Sequence, residues 1–255
     1  MILDDILSRT AERVESIPRA RGEYSRGTCR SLEASIRDVK YSPSPRHAII
    51  AELKFSSPSR GSIRPYSDPR GLALEFVQNG CIALSVHTEP HYFHGSPEDL
   101  HAVREAVAVP VLRKDFIIDD RQLEESLDMG ADAVLLISGV LKEKLPSFVE
   151  RCAELGIEPL VEVRDRKDTE IALQSGARII GINNRDLTTL QVSLRPTIRL
   201  GEMIRRSGRL VVSESGILWP YDVRLLKDYC DAYLIGTSLM RSPSPAKALE
   251  GFVFG

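Results

Sequence analysis

Residues 121–137 read RQLEESLDMGADAVLLI. An amphipathic stretch ends at Met129-Gly130, and a short run of aliphatic and β-branched residues follows. A glycine in that place supplies the left-handed backbone that closes a helix. The same unit recurs: Asn79-Gly80 precedes CIALSV, Leu155-Gly156 precedes IEPLVEV, Ser175-Gly176 precedes ARIIGIN and Ser207-Gly208 precedes RLVVSES. With HAIIAELK, VPVLRKDF and DAYLIGT there are eight apolar runs, ending near Lys54, Val86, Arg113, Ile137, Val163, Asn183, Ser213 and Gly236. The first and last ends are 182 residues apart over seven intervals, about 26 per unit, which suits one βα module. Near-continuous apolar runs fit strands buried on both faces of a parallel sheet. SPEDLHAVREAV opens with a Ser/Pro helix start and DDRQLEESLDM with an acidic one. The chain therefore belongs to the α/β class, and eight such units predict a closed (β/α)8, or TIM, barrel. A doubly wound open sheet is the alternative, but it calls for a GxGxxG after the first strand, and none is present.

Residues 1–45 lie outside the repeat and read as an N-terminal helical cap on a single domain spanning 1–255. Amphipathic segments run from Ile2 to Val14 and from Ser31 to Val39, and YSPSPRH reads as an extended linker into the first strand. The 255 residues are 42% hydrophobic and 27% charged, with 34 basic against 36 acidic side chains. This composition is that of a soluble globular protein and excludes disorder as the main theme. A formal net charge of −2 argues against duplex DNA or an anionic membrane as partner, because both demand a basic excess. Cys29, Cys81, Cys152 and Cys230 are far apart, with no zinc spacing, and read as reduced thiols. No signal-peptide pattern or long apolar stretch is seen, so a cytoplasmic location is expected.

A barrel of this kind carries its chemistry at the C-terminal ends of the strands. Glu52 and Lys54, two residues apart, point to the same side of the first run and into the barrel mouth. Lys114, Glu162, Asn183, Arg185, Glu214 and Ser215 end later runs. Arg113, beside Lys114, reads as an ion-pair anchor. So many charges on five strand ends require mutual pairing or a charged ligand. SESGI and IGTS each place a glycine at the start of a following helix, where free N–H groups favour phosphate. Gly216, Gly236 and Thr237, with Ser57 from the SSPSRG loop, form the expected cradle. Phe93 and Phe116, with Leu135 and Leu187 nearby, suggest a ring-bearing substrate. His87, His91, His94 and His101 lack a carboxylate at metal-ligand spacing and read as surface or packing residues.

Taken together, AELKFSSPSRGSI, ALSVHTEPHYFHGSPEDL, VPVLRKDFIIDDRQL, GADAVLLI, PLVEV, IIGINNRDLTTLQV, VVSESGI and LIGTSLMR resemble the indole-3-glycerol phosphate synthase family. The resemblance runs from about Ala51 to Arg241. It implies a carbon–carbon lyase of tryptophan biosynthesis. The reaction closes 1-(2-carboxyphenylamino)-1-deoxy-D-ribulose 5-phosphate to indole-3-glycerol phosphate, with loss of carbon dioxide and water and no cofactor or metal. By resemblance Lys114 is the general acid at the ribulose carbonyl and Glu162 assists departure of the hydroxyl. Glu52 can accept a proton, and Lys54 pairs with the acids and shares in proton delivery. Asn183 and Ser215 hold substrate hydroxyl or carboxylate groups, Glu214 orients the basic residues, and Arg185 meets an anion, phosphate or carboxylate. Where many relatives have a basic residue after the first lysine, this chain has Phe55 and Ser56. His87 stands where an aliphatic residue is common. Tyr24 is an aromatic of the N-terminal segment, and the contact that covers the substrate ring stays unassigned.

Neighbouring negative charge favours the ammonium form of a lysine, so Lys114 is expected to keep its proton at neutral pH. Two rival readings are phosphoribosylanthranilate isomerase and a non-catalytic barrel that binds a phosphorylated metabolite. The first has no need of two lysines with Glu162 and Asn183 in one mouth. The second has no need of Lys114, Glu162 and Glu52. A monomer with a small-molecule substrate is expected.

Overall fold

The computed structural model describes residues 2–18, 29–186 and 189–255. Eight parallel strands close into a barrel: β1 (Ile49–Leu53), β2 (Ala83–His87), β3 (Val111–Lys114), β4 (Ala133–Ile137), β5 (Glu158–Val163), β6 (Ile179–Asn183), β7 (Leu210–Glu214) and β8 (Ala232–Ile235). Each pairs with its chain neighbours, and β1 closes on β8 through Ile49↔Tyr233, Ile50↔Leu234 and Ala51↔Ile235. Every strand end falls within one residue of the end read from sequence. The five glycines marked as helix ends, Gly80, Gly130, Gly156, Gly176 and Gly208, all have φ between +70° and +93°, where a side chain would be strained. Helix starts also follow the sequence: Ser96 caps Pro97–Ala106, and Asp119 with Gln122 forms a capping box on Asp120–Asp128.

Strand alternation sorts each run into two layers. Ile49, Ala51 and Leu53 face the surrounding helices, in a core with Phe76, Leu100 and Val253. Ile50, Leu112, Ala133, Leu135, Leu160, Ile179, Val212 and Leu234 fill the barrel interior. The same parity turns Glu52, Lys114, Glu162, Asn183 and Glu214 inward at the mouth. Arg113, one residue before Lys114, points the other way and is fully buried. It donates to Thr88 Oγ1 (3.0 Å), Gln122 O (3.0 Å), Ser126 Oγ (3.0 Å), Asp115 Oδ2 (2.9 Å) and Glu125 Oε2 (2.6 Å). A guanidinium satisfied on this scale is structural, as the ion-pair reading of Arg113 expects.

Among the described residues, the N-terminal segment forms two helices that serve opposite ends of the barrel. α1 (Ile2–Glu15) lies over the mouth, where Ile2, Leu3 and Ile6 face the cavity. Its Arg13 donates to both oxygens of Asp115, at 2.8 and 2.9 Å, and to Thr88 O at 3.3 Å. Tyr92 hydrogen-bonds Asp5 of the same helix. α2 (Leu32–Lys40) instead buries Leu32, Ile36 and Val39 against Ile50, Ala83, Leu112, Ala133 and Leu210, at the starts of the strands. Ser31 accepts from Ala34 N at 2.9 Å as the α2 cap. Its own hydroxyl donates to Glu158 Oε1 at 2.6 Å, and Glu33 N donates to Glu158 Oε2 at 2.9 Å. The segment expected as one cap is thus a lid and a plug. Tyr24 and Leu187 lie outside the described residues. No helix among the described residues is long and apolar enough to cross a membrane. Cys81, Cys152 and Cys230 are buried thiols.

Candidate active site

One cavity opens at the C-terminal ends of the strands. Glu52, Lys54, Ser57, Phe93, Lys114, Phe116, Leu135, Glu162, Asn183, Arg185, Glu214, Ser215, Gly216, Gly236 and Thr237 all line it. The structure therefore brings together every site residue named from sequence that it describes. It adds Arg60 and Ser59 from the loop after β1, Ser238 after Thr237, the α1 side chains, and His87. For His87 the missed signal was parity: it shares the inward face of β2 with Ala83 and Ser85.

Two charge clusters face each other in this mouth. In the first, Lys114 Nζ donates to Glu162 Oε2 and to Glu214 Oε2, each at 3.2 Å. Burial alone would lower the lysine pKa. Glu214, Glu162 and Glu52 outweigh it and push the pKa above its ordinary value, so the ammonium persists. Burial, and then the nearby Glu162, push the Glu214 carboxyl up to about 7 against the pull of Lys114. Among the described residues Glu214 Oε1 has no hydrogen-bond partner. Asn183 Nδ2 donates to Glu162 Oε1 at 3.0 Å, and Asn183 Oδ1 accepts from Arg185 N at 2.9 Å.

In the second cluster, Lys54 Nζ donates to Glu52 Oε2, and His87 Nε2 lies 3.0 Å from Glu52 Oε1. Burial pushes the Glu52 carboxyl up, but Lys54, His87 and then Lys114 hold it well below the usual carboxylate range. The His87 ring stacks on Phe93, with centroids 4.4 Å apart and planes within 5°. Phe93 and Phe116 follow at 6.4 Å and 39°. Among the described residues no group of three His, Cys, Asp or Glu is arranged to hold a metal ion.

The glycine-rich rim differs from expectation in one respect. Gly216 does not open a helix: it follows Ser215 in a left-handed turn, with φ of +80° and +65°, and the next helix starts only at Pro220. Gly236 does precede a single helical turn, Thr237–Met240. A side chain at either glycine would also force a neighbour to move. A Cβ at Gly216 would lie 2.4 Å from Val192 Cγ1, and one at Gly236 would lie 2.0 Å from Glu52 Oε2. Arg185 donates to Leu190 O at 3.1 Å. Its pKa is lowered by burial and by the nearby Arg60, and among the described residues no carboxylate pairs with either arginine.

A profile of the indole-3-glycerol phosphate synthase family matches residues 3–252. The chain belongs to that family. It is similar to the indole-3-glycerol phosphate synthase of Methanopyrus kandleri, with 41% identity over 98% of this chain and 97% of the relative. It is also similar to that of Deinococcus radiodurans, with 43% identity over 90% and 86%, and that of Laribacter hongkongensis, with 38% over 97% and 97%. The tryptophan synthase alpha chain of Legionella pneumophila shares the fold alone, with a TM-score of 0.62 at 11% identity over 86% of this chain and 94% of that one. Membership supports the synthase reading, a carboxy-lyase step of tryptophan biosynthesis on a small phosphorylated substrate, over the isomerase and the silent binder.

Proposed function

We propose that the cavity closes 1-(2-carboxyphenylamino)-1-deoxy-D-ribulose 5-phosphate to indole-3-glycerol phosphate, and that Lys114 supplies the first proton. The observation that carries this reading is the seating of Lys114 Nζ 3.2 Å from both Glu162 and Glu214, in the cavity that the aromatic Phe116 also lines. An ammonium kept charged by two carboxylates can protonate the ribulose carbonyl as the ring carbon attacks it. Loss of the carboxylate then restores aromaticity. Glu162, oriented by Asn183, assists departure of the hydroxyl, and Glu214 Oε1 is left for a substrate hydrogen bond. Glu52 is ionised and has both oxygens engaged, so it is a weak proton acceptor. Holding Lys54 suits it better.

The ring belongs between Phe93, Phe116 and Leu135, under Ile2, Leu3 and Ile6. Ser57, Gly216, Gly236 and Thr237 suit the phosphate, with Arg60 and Arg185 supplying charge to the substrate's anions and Ser215 meeting a hydroxyl. The near-neutral charge suits a cytoplasmic monomer without nucleic-acid or membrane partners. The test is a fluorescence assay for the indole product with purified protein and this substrate. Lys114→Met should lower turnover by at least about 100-fold, the lower range for a general acid. Turnover within tenfold of the parent would refute the assignment of Lys114, and absence of product with tight substrate binding would point to the silent binder.

A further inference from the structure

His87 is a buried titratable group at the mouth that the chemistry above does not use. It ends β2 between the strands that carry Glu52 and Lys114, in register with Lys114 itself. The groups facing it are Glu52 from β1 and Lys54 just after it, Lys114 from β3, Phe93 from the following loop, and His94 and Asp99 across a small adjoining cavity. Three features fix its ring. Nε2 lies 3.0 Å from a Glu52 oxygen, so the proton resides on Nε2. One ring face lies flat on Phe93. The loop bearing Phe93 is itself pinned, since Glu89 accepts from the backbone N of His91, Tyr92 and Phe93 at 2.9, 2.7 and 2.9 Å. Gly95 then returns so closely that a Cβ there would lie 2.2 Å from His87 O.

We infer that His87 is a positioning residue that joins two walls of the site: its Nε2–H fixes Glu52 against Lys54, and its ring face backs Phe93 for the aromatic part of the substrate. A neutral imidazole performs both tasks. Burial and the charges of Lys54 and Lys114 oppose its protonation, while Glu52 favours it. The two tasks reside on different parts of the ring and are therefore separable by substitution.

The inference rests on the activity proposed above, and its test divides the two. His87→Phe keeps the flat face and removes the donor. It should lower kcat about tenfold, the scale of a lost hydrogen bond to a charged group, with KM within about threefold. His87→Gln keeps a donor and removes the ring, and should raise KM about fivefold, the scale of one aromatic pair, with kcat within threefold. Changes of kcat and KM in the same ratio in both variants, or no change in either, would overturn the inference. Nitrogen-15 NMR of labelled histidine in the parent decides independently of turnover. Nε2 protonated and Nδ1 bare from pH 6 to 8 is the expected result; a ring titrating near the free-histidine value of about 6.5 would overturn it. A parent that makes no indole product would refute the activity reading, and the spectrum would still decide His87.

Discussion

The Glu214 carboxylate occupies the space that a side chain at Gly181 would fill: a Cβ built on Gly181 would lie 1.9 Å from Glu214 Oε1 and 3.0 Å from Cδ. β6 and β7 pair in register here, with Gly181 opposite Val212 and Asn183 opposite Glu214. The glycine two residues below Asn183 is therefore part of how Lys114 is held. Gly181→Ala should displace Glu214 from Lys114 and lower kcat by about tenfold or more, since a charge-assisted contact is lost or bent. Steady-state kinetics alongside a melting curve check this, and an unchanged kcat would show that Glu214 does not need its present seat.

Glu214 also gives a pH signature. Its carboxyl is raised from 4.5 to about 7 in the folded chain, so its burial favours the protonated form. The associated stability is fully present below pH 4.5 and is lost as pH rises through about 7. The shift corresponds to roughly 3 kcal/mol. Glu214→Gln mimics the protonated group at every pH. Urea unfolding should therefore show the variant gaining on the parent between pH 5 and pH 8; a stability difference constant across that range would contradict the assignment.

The lid is tied down next to the proposed acid. Arg13 of α1 grips Asp115, the residue after Lys114, and burial, countered by Arg113, Arg13 and Thr88, leaves that carboxyl below its ordinary value. Arg13→Met should release α1, at a cost of about 1–3 kcal/mol, because Arg113 still neutralises Asp115. KM should rise more than kcat falls, since Ile2, Leu3 and Ile6 leave the cavity. Limited proteolysis within residues 2–15, faster in the variant than in the parent, is the physical readout.

At the opposite end, Glu158 caps α2 through Ser31 and Glu33. Glu158→Ala removes both acceptor oxygens and should destabilise the chain by about 1–2 kcal/mol. Being on the face away from the chemistry, it should leave kcat within twofold near 25 °C. A large fall in kcat would mean that the plug and the mouth are coupled.

Much of this arrangement was legible in the sequence because a strand has a period of two. Once the run ending LRK is a strand, Lys114 and Arg113 must face opposite ways, and Glu52 with Lys54 must face the same way. Less legible were features set by packing between distant segments. His87 reads as a packing residue until Glu52 and Phe93 are placed around it. Gly236 reads as a phosphate turn, yet its missing side chain also makes room for Glu52. The amphipathic stripes of α1 and α2 show that each covers something, but both stripes are apolar on one face, and nothing in their composition states which end of a barrel each will meet.

The plug has a further consequence for the growing chain. α2 is made before any strand, but its apolar face belongs to a cluster that includes Ile50 of β1 and Ala232 and Leu234 of β8, and Lys40 pairs with Asp231 at 2.9 Å, one residue before β8. During synthesis from the N-terminus, Leu32, Ile36 and Val39 therefore have no complete surface to rest on until the last strand has left the ribosome. An apolar early helix thus waits for the last strand, so closure of the barrel floor comes late in folding and is a stage at which aggregation competes with it.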